Sequence, residues 1–207
     1  MNTQIEHEDR VQDRDKFLEF IKSNLTDNPI CVEIGVYQGE FAKNILDTLQ
    51  PSILHLIDPW EIGSDKNSKE THYSGEISDL STAYSTDEDF KQVNDIFSEE
   101  IKEGKVVLNK HYSYDAVDMF EDNYFDFIYI DACHLYDSVK ADLEMFLPKL
   151  KTNGILCGHD YMDDPRGSNF NVVQAVDEFC ENFNFEMIVL GKVPHCDWGL
   201  KNMEIEK

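Results

Sequence analysis

Positive charge is scarce in this chain: 18 lysines and arginines stand against 42 aspartates and glutamates in 207 residues, a formal charge of −24. Such a surface repels a phosphate backbone and an anionic bilayer, which argues against nucleic acid and membrane as partners. It favours solubility, and it can attract a cationic ligand. No run approaches the roughly 18 apolar residues of a membrane span, and the polar start, Met1 to Arg10, has no apolar segment of a secretory signal. The expectation is a soluble, cytoplasmic protein. The five cysteines (Cys31, Cys133, Cys157, Cys180 and Cys196) form no Cys-x-x-Cys pair, so reduced core thiols are expected in place of disulfides or zinc. Neither a Gly-x-Gly-x-x-Gly fingerprint nor a Gly-Lys-Ser/Thr phosphate loop occurs. A nucleotide-like ligand would therefore not be gripped by its phosphates.

What is present is a regular alternation of strand and helix patterns. A hydrophobic content of 41% suits one globular domain over residues 1–207, with 1–29 as an N-terminal helical extension. Asp15 to Leu25 carries apolar residues at helical spacing and stops at Asn28-Pro29. Buried strands are expected at Ile30 to Ile34, Ile53 to Ile57, Lys105 to Leu108, Phe125 to Asp131, Ile155 to Cys157 and Phe185 to Leu190, with a last one near Trp198 to Lys201. Helical patterns fall between them at Phe41 to Leu49, Asp89 to Ile101, Tyr114 to Phe120, Ser138 to Leu150 and Asn171 to Phe183. Strand-helix-strand units imply parallel strands, so the expected fold is α/β, a Rossmann-like, mostly parallel seven-stranded sheet flanked by helices. Residues 61–89 are polar and weakly patterned, which suits a lid or substrate loop as well as a plain surface loop.

Polar residues cluster just past the strand ends, the edge where ligands bind in an open parallel sheet. Glu33, Gly35 and Gly39 follow the first strand. Gly35 permits a backbone conformation or close approach that a Cβ would obstruct, and the helix after it directs amides and a positive dipole end at a ligand. Asp58 lies 19 residues beyond Gly39, where a carboxylate can accept from both ribose hydroxyls, although an acid before Pro59 is also a turn former. Asp131 ends the fourth strand, with His134 three residues on; His159 and Asp160 end the fifth. Oxygen ligands with an imidazole suit Mg2+ or Mn2+ at Asp131, His159 and Asp160, and equally a hydrogen-bonded structural pair.

Together these stretches resemble class I S-adenosylmethionine-dependent methyltransferases over approximately Ile30 to Lys201. Val32-Glu33-Ile34-Gly35-Val36-Tyr37-Gln38-Gly39 resembles the first motif of that superfamily and Leu56-Ile57-Asp58-Pro59-Trp60 the second. Ile130-Asp131-Ala132-Cys133-His134-Leu135-Tyr136, Val139-Lys140-Ala141-Asp142-Leu143 and Gly158-His159-Asp160-Tyr161 are similar to a small-molecule O-methyltransferase branch with macrolide sugar methyltransferases and cephalosporin-hydroxylase-like proteins. Ala132-Cys133 stands where that branch has Gly and Asp. The resemblance implies S-adenosylmethionine as cofactor, with Glu33, Gly35 and Gly39 at its amino-acid and sulfonium end and Asp131 among the cofactor-binding residues. It puts Asp58 on the ribose and His111 to Ser113 beside adenine. It also implies a divalent ion at Asp131, His159 and Asp160, with His159 in place of a usual carboxylate.

The chemistry would be displacement of a methyl group by a substrate hydroxyl, with His134 as base or else a turn residue capping the next helix, and Asp131 orienting it or holding a metal. The expected acceptor is a small hydroxylated molecule, a sugar or sugar-bearing metabolite, and a homo-oligomer is compatible with this reading. A nicotinamide-dependent oxidoreductase on the same sheet, or a noncatalytic cofactor-binding relative, are the alternatives.

Overall fold

The computed structural model describes residues 13–60, 85–162, 171–192 and 196–203. Most of the expected 61–89 insert and of the Met162 to Phe170 segment lies outside these residues.

Seven strands, β1 (Ile30–Ile34), β2 (Ile53–Ile57), β3 (Val106–Asn109), β4 (Phe125–Ile130), β5 (Leu150–Gly158), β6 (Phe185–Leu190) and β7 (Trp198–Asn202), form one sheet in the order β3-β2-β1-β4-β5-β7-β6. The first five are parallel; β7 runs antiparallel to both β5 and β6. The Rossmann-like expectation holds, and the strand order reverses between β1 and β4, where Ile34 pairs with Ile130. Crevices at such reversals receive ligands.

Alternation along the strands builds a core on each face. Val32, Ile34, Ile128, Ile130 and Leu156 pack against α6 (Tyr136–Phe146) and α7 (Val172–Phe183), with Leu143, Phe146, Val176 and Phe179 as the buried partners. Cys31, Leu54, Phe127, Tyr129 and Cys157 face α1 (Arg14–Ser23) and α2 (Glu40–Leu49) through Phe17, Leu18, Ile21 and Ile45. In α2 the apolar residues recur at Phe41, Ile45 and Leu49, one stripe of a 3.6-residue period. Gln50 in a left-handed conformation and then Pro51 end it.

The helix expected over Asp89 to Ile101 starts earlier and is broken. Thr86 and Asp89 form a reciprocal capping box that opens α3 (Asp87–Ile96), and Phe97 separates it from α4 (Ser98–Lys102). Residues 85–89 thus belong to a cap and first turn, not to the insert. The turn expected at Asn153-Gly154 is instead part of β5, which begins at Leu150 and realigns on β4 through a bulge between Phe125 and Phe127. The cysteines carry no disulfide among the described residues; Cys31, Cys157 and Cys196 are buried, whereas Cys133 is exposed, against the core role expected of it.

Candidate active site

The carboxyl edge is laced strand to strand by backbone hydrogen bonds. Gly35 N–H donates to Ile57, Asp131 N–H to Ile34, His159 N–H to Ile130 and Asp58 N–H to Asn109. Gly35, Asp58, Asp131 and His159 therefore sit at one rim. Gly35 adopts φ +87°, and a Cβ there would run into the Asp131 carbonyl and stand 2.7 Å from the Ala132 Cα. The first glycine is needed where β1 and β4 pinch together. Gly39 has another reason for its size: Val93 and Phe97 of the α3–α4 region fill the space a Cβ would take, at 3.2 Å.

Asp58 organises the turn after β1. Its Oδ2 accepts from the amides of Val36 (2.9 Å) and Tyr37 (3.0 Å), and its Oδ1 from the Trp60 amide (2.8 Å) and the Ser85 hydroxyl. The Gly39 amide bonds Val36 O at 2.9 Å. These amides have acceptors inside the chain, so the turn does not offer them as a phosphate cradle.

Asp131 is a hub for side chains from three segments. Its Oδ1 lies 3.1 Å from His134 Nε2 and 3.5 Å from His159 Nδ1, and its Oδ2 lies 3.7 Å from Arg14 Nη2. Burial favours the neutral acid, but the hydrogen bonds and charges of His134 and His159 outweigh it and hold Asp131 at about 2. It is an anion at neutral pH. The same pairing overcomes burial at His159 and raises it. Asp160 closes the group, with Oδ2 3.3 Å from His134 Nδ1 and Oδ1 3.3 Å from His159 Nδ1.

This arrangement does not fit the divalent ion expected at Asp131, His159 and Asp160. His159 Nδ1 faces the carboxylates of both Asp131 and Asp160, and no group of three or more His, Cys, Asp or Glu side chains among the described residues is disposed to hold a metal. A neutral imidazole ligand and an imidazolium ion-paired to carboxylates are alternative states of the same ring.

Glu33 is wholly enclosed beneath this rim. One carboxylate oxygen, Oε2, has no hydrogen-bond partner among the described residues. Burial, then the nearby Asp131, push it well above the ordinary carboxylate range, opposed by Arg14. Ser113, expected near adenine, opens the short helix α5 (Ser113–Ala116) between Tyr112 and Tyr114, whose rings stack at 5.3 Å.

Sequence reasoning missed four participants. Arg14 reaches the rim from α1; Tyr129 and Asp197 hold it there; and Asp142, quoted above only as part of a motif, is buried on α6 with Ser113 hydrogen-bonded to it. Burial moves Asp142 up to about 6, more than the Ser113 bond lowers it. A raised carboxylate supports the fold below its unfolded value near 3.9 and loses that contribution as pH climbs through about 6. A shift of about two units corresponds to roughly 3 kcal/mol at pH 8. Asp142→Asn, which keeps an acceptor for Ser113, should therefore melt several degrees above the parent at pH 8, with the gap closing near pH 4. Equal melting curves at both pH values would contradict the assignment.

A profile of the methyltransferase domain matches residues 32–161, which spans β1 to the end of β5. The chain belongs to the methyltransferase-domain family. No curated protein matches this methyltransferase domain. Among solved structures it is similar to a protein from Corynebacterium glutamicum (14% identity, TM-score 0.65, 95% of this chain and 85% of that one). It is also similar to an O-methyltransferase from Bacillus cereus in complex with S-adenosylhomocysteine, SAH (14%, 0.60, 90% and 79%), and to an rRNA methylase from Streptococcus thermophilus (12%, 0.57, 92% and 95%). At such identity these likenesses establish the fold of the methyltransferase domain. The last of them leaves the expected exclusion of nucleic acid resting on charge alone. No helix among the described residues is long and apolar enough to cross a membrane.

Proposed function

We propose that the chain is an S-adenosylmethionine-dependent O-methyltransferase acting on a hydroxyl of a small molecule, a sugar or sugar-bearing metabolite. The observation that carries this reading is the His134–Asp131 hydrogen bond at the same rim as the Gly35 turn. A proton acceptor thus stands beside an acid-lined pinch suited to a sulfonium. The partnerless Glu33 Oε2 supports a cationic ligand there, and the family match favours methyl transfer over the nicotinamide alternative.

The cofactor supplies an electrophilic methyl group on sulfur; the chain's residues orient the reactants and handle the proton. Asp131 fixes the His134 ring through Nε2, which leaves Nδ1, now against Asp160, to take the hydroxyl proton. His134 would keep the proton that the hydroxyl gives up when it takes the methyl group, the electron pair of the broken carbon–sulfur bond leaving with the thioether product. Asp58 would receive the ribose diol at Oδ1 in exchange for the Ser85 hydroxyl, and the stacked Tyr112 and Tyr114 flank Ser113 where adenine would lie. No step requires Mg2+ or Mn2+.

The test pairs calorimetry of SAH with methyl transfer to a panel of hydroxylated sugars and glycosides. His134→Gln should lower turnover roughly 10²- to 10⁴-fold while SAH affinity stays within about twofold. Absence of SAH binding by the parent protein would remove the cofactor reading; binding without transfer to any acceptor would support a noncatalytic relative. Faster methylation of an rRNA fragment than of every small molecule would replace the acceptor class.

A further inference from the structure

Arg14 is the first residue of α1, a helix capped by Asp13, whose carboxylate accepts from the Lys16 amide at 2.9 Å. The cap fixes where the helix starts and so carries the guanidinium to the ends of β4 and β7. There it lies 3.8 Å above the Phe41 ring, in the first turn of α2. Nε and Nη2 reach Asp197 Oδ1 at 3.1 and 3.0 Å, and Nη2 also meets the Tyr129 hydroxyl and faces Asp131. These contacts use one edge of the fork. Nη1 makes no hydrogen bond among the described residues, and the side chain retains 21% exposure.

Glu33, whose Oε2 has no partner among the described residues, lies in register beside Tyr129, to whose hydroxyl Arg14 is bonded. A guanidinium and a carboxylate on the same face of a sheet complement the two charges of an α-amino acid, since the fork matches a carboxylate and the acid accepts from an ammonium. We infer that Arg14 binds the carboxylate of the cofactor's methionyl end, opposite Glu33, so that α1 supplies half of an amino-acid clamp. This inference rests on the cofactor reading above. The competing role for Arg14 is a brace that only neutralises Asp197 and Tyr129.

The two roles separate by calorimetry with SAH and its decarboxylated analogue S-adenosyl-3-thiopropylamine, which keeps the ammonium and lacks the carboxylate. The parent protein should bind the analogue roughly 10- to 100-fold more weakly than SAH, the range of one charge-assisted hydrogen-bonded contact. Arg14→Gln should weaken SAH by a similar factor and leave the analogue within about twofold, with Arg14→Lys recovering part of the loss. Equal affinity of the parent for both ligands, or an equal loss of both in Arg14→Gln, would overturn the inference while leaving the cofactor reading intact. A parent protein that binds neither overturns both. If Arg14→Gln does not fold, the parent's discrimination between ligands and the Arg14→Lys titration decide.

Discussion

Gly35→Ala is expected to lower the melting temperature by roughly 10 °C and to eliminate measurable SAH binding. Two costs add at this position. A residue other than glycine at φ +87° is strained, and the new methyl group meets the Asp131 carbonyl and the Ala132 backbone, which are not flexible side-chain ends. Overpacking against rigid atoms costs about 1–3 kcal/mol, and left-handed backbone about 1–2 kcal/mol. Each kcal/mol moves the melting point of a domain this size by roughly 2–4 °C. Gly104→Ala separates the contributions: its φ is +74°, but nothing lies within 4 Å of the added Cβ. It should show the backbone cost alone and bind SAH as the parent does. If Gly35→Ala melts no lower than Gly104→Ala, β1 and β4 can part at the rim without penalty and the pinch is not a constraint.

Asp58→Ala carries the second large effect. It removes the acceptor from three backbone amides and the Ser85 hydroxyl at once, in a site with 5% exposure. An enclosed donor left unsatisfied costs about 1–3 kcal/mol, so a loss of roughly 3–5 kcal/mol in denaturant unfolding is expected, together with SAH affinity weakened at least about a hundredfold. Asp58→Asn should be nearly as damaging, because its amide nitrogen turns a donor toward a donor on one side of the cluster. A variant that unfolds within about 1 kcal/mol of the parent would mean that the turn organises itself without this carboxylate.

Much of the fold was legible because its signals are local. Apolar runs marked β1, β2 and β4 to the residue at their amino ends, and helical spacing marked α2 and α7. The Thr86–Asp89 capping box was also local, but it lay at the end of a polar stretch whose composition masked it. At the site, the Asp131–His134 pair is three residues apart and could be read directly. Asp58 was singled out, yet its present partners are amides from a turn that only the fold brings near. Arg14, Tyr129 and Asp197 could not be read: they are 115 and 68 residues apart in sequence, and nothing in the neighbourhood of any one of them marks the others. The metal expectation rested on residue types alone, which could not reveal that Asp131 also faces Arg14 from α1.

One oxygen of Asp58 has a consequence for how this chain can diversify. Its Oδ1 receives both the Trp60 amide and the Ser85 hydroxyl, so the residues that flank 61–84 meet at a single atom. A segment that leaves and re-enters through one point can be lengthened at little entropic cost, about 0.6 kcal/mol per doubling. Insertions between those two residues should therefore leave the seven strands as they are.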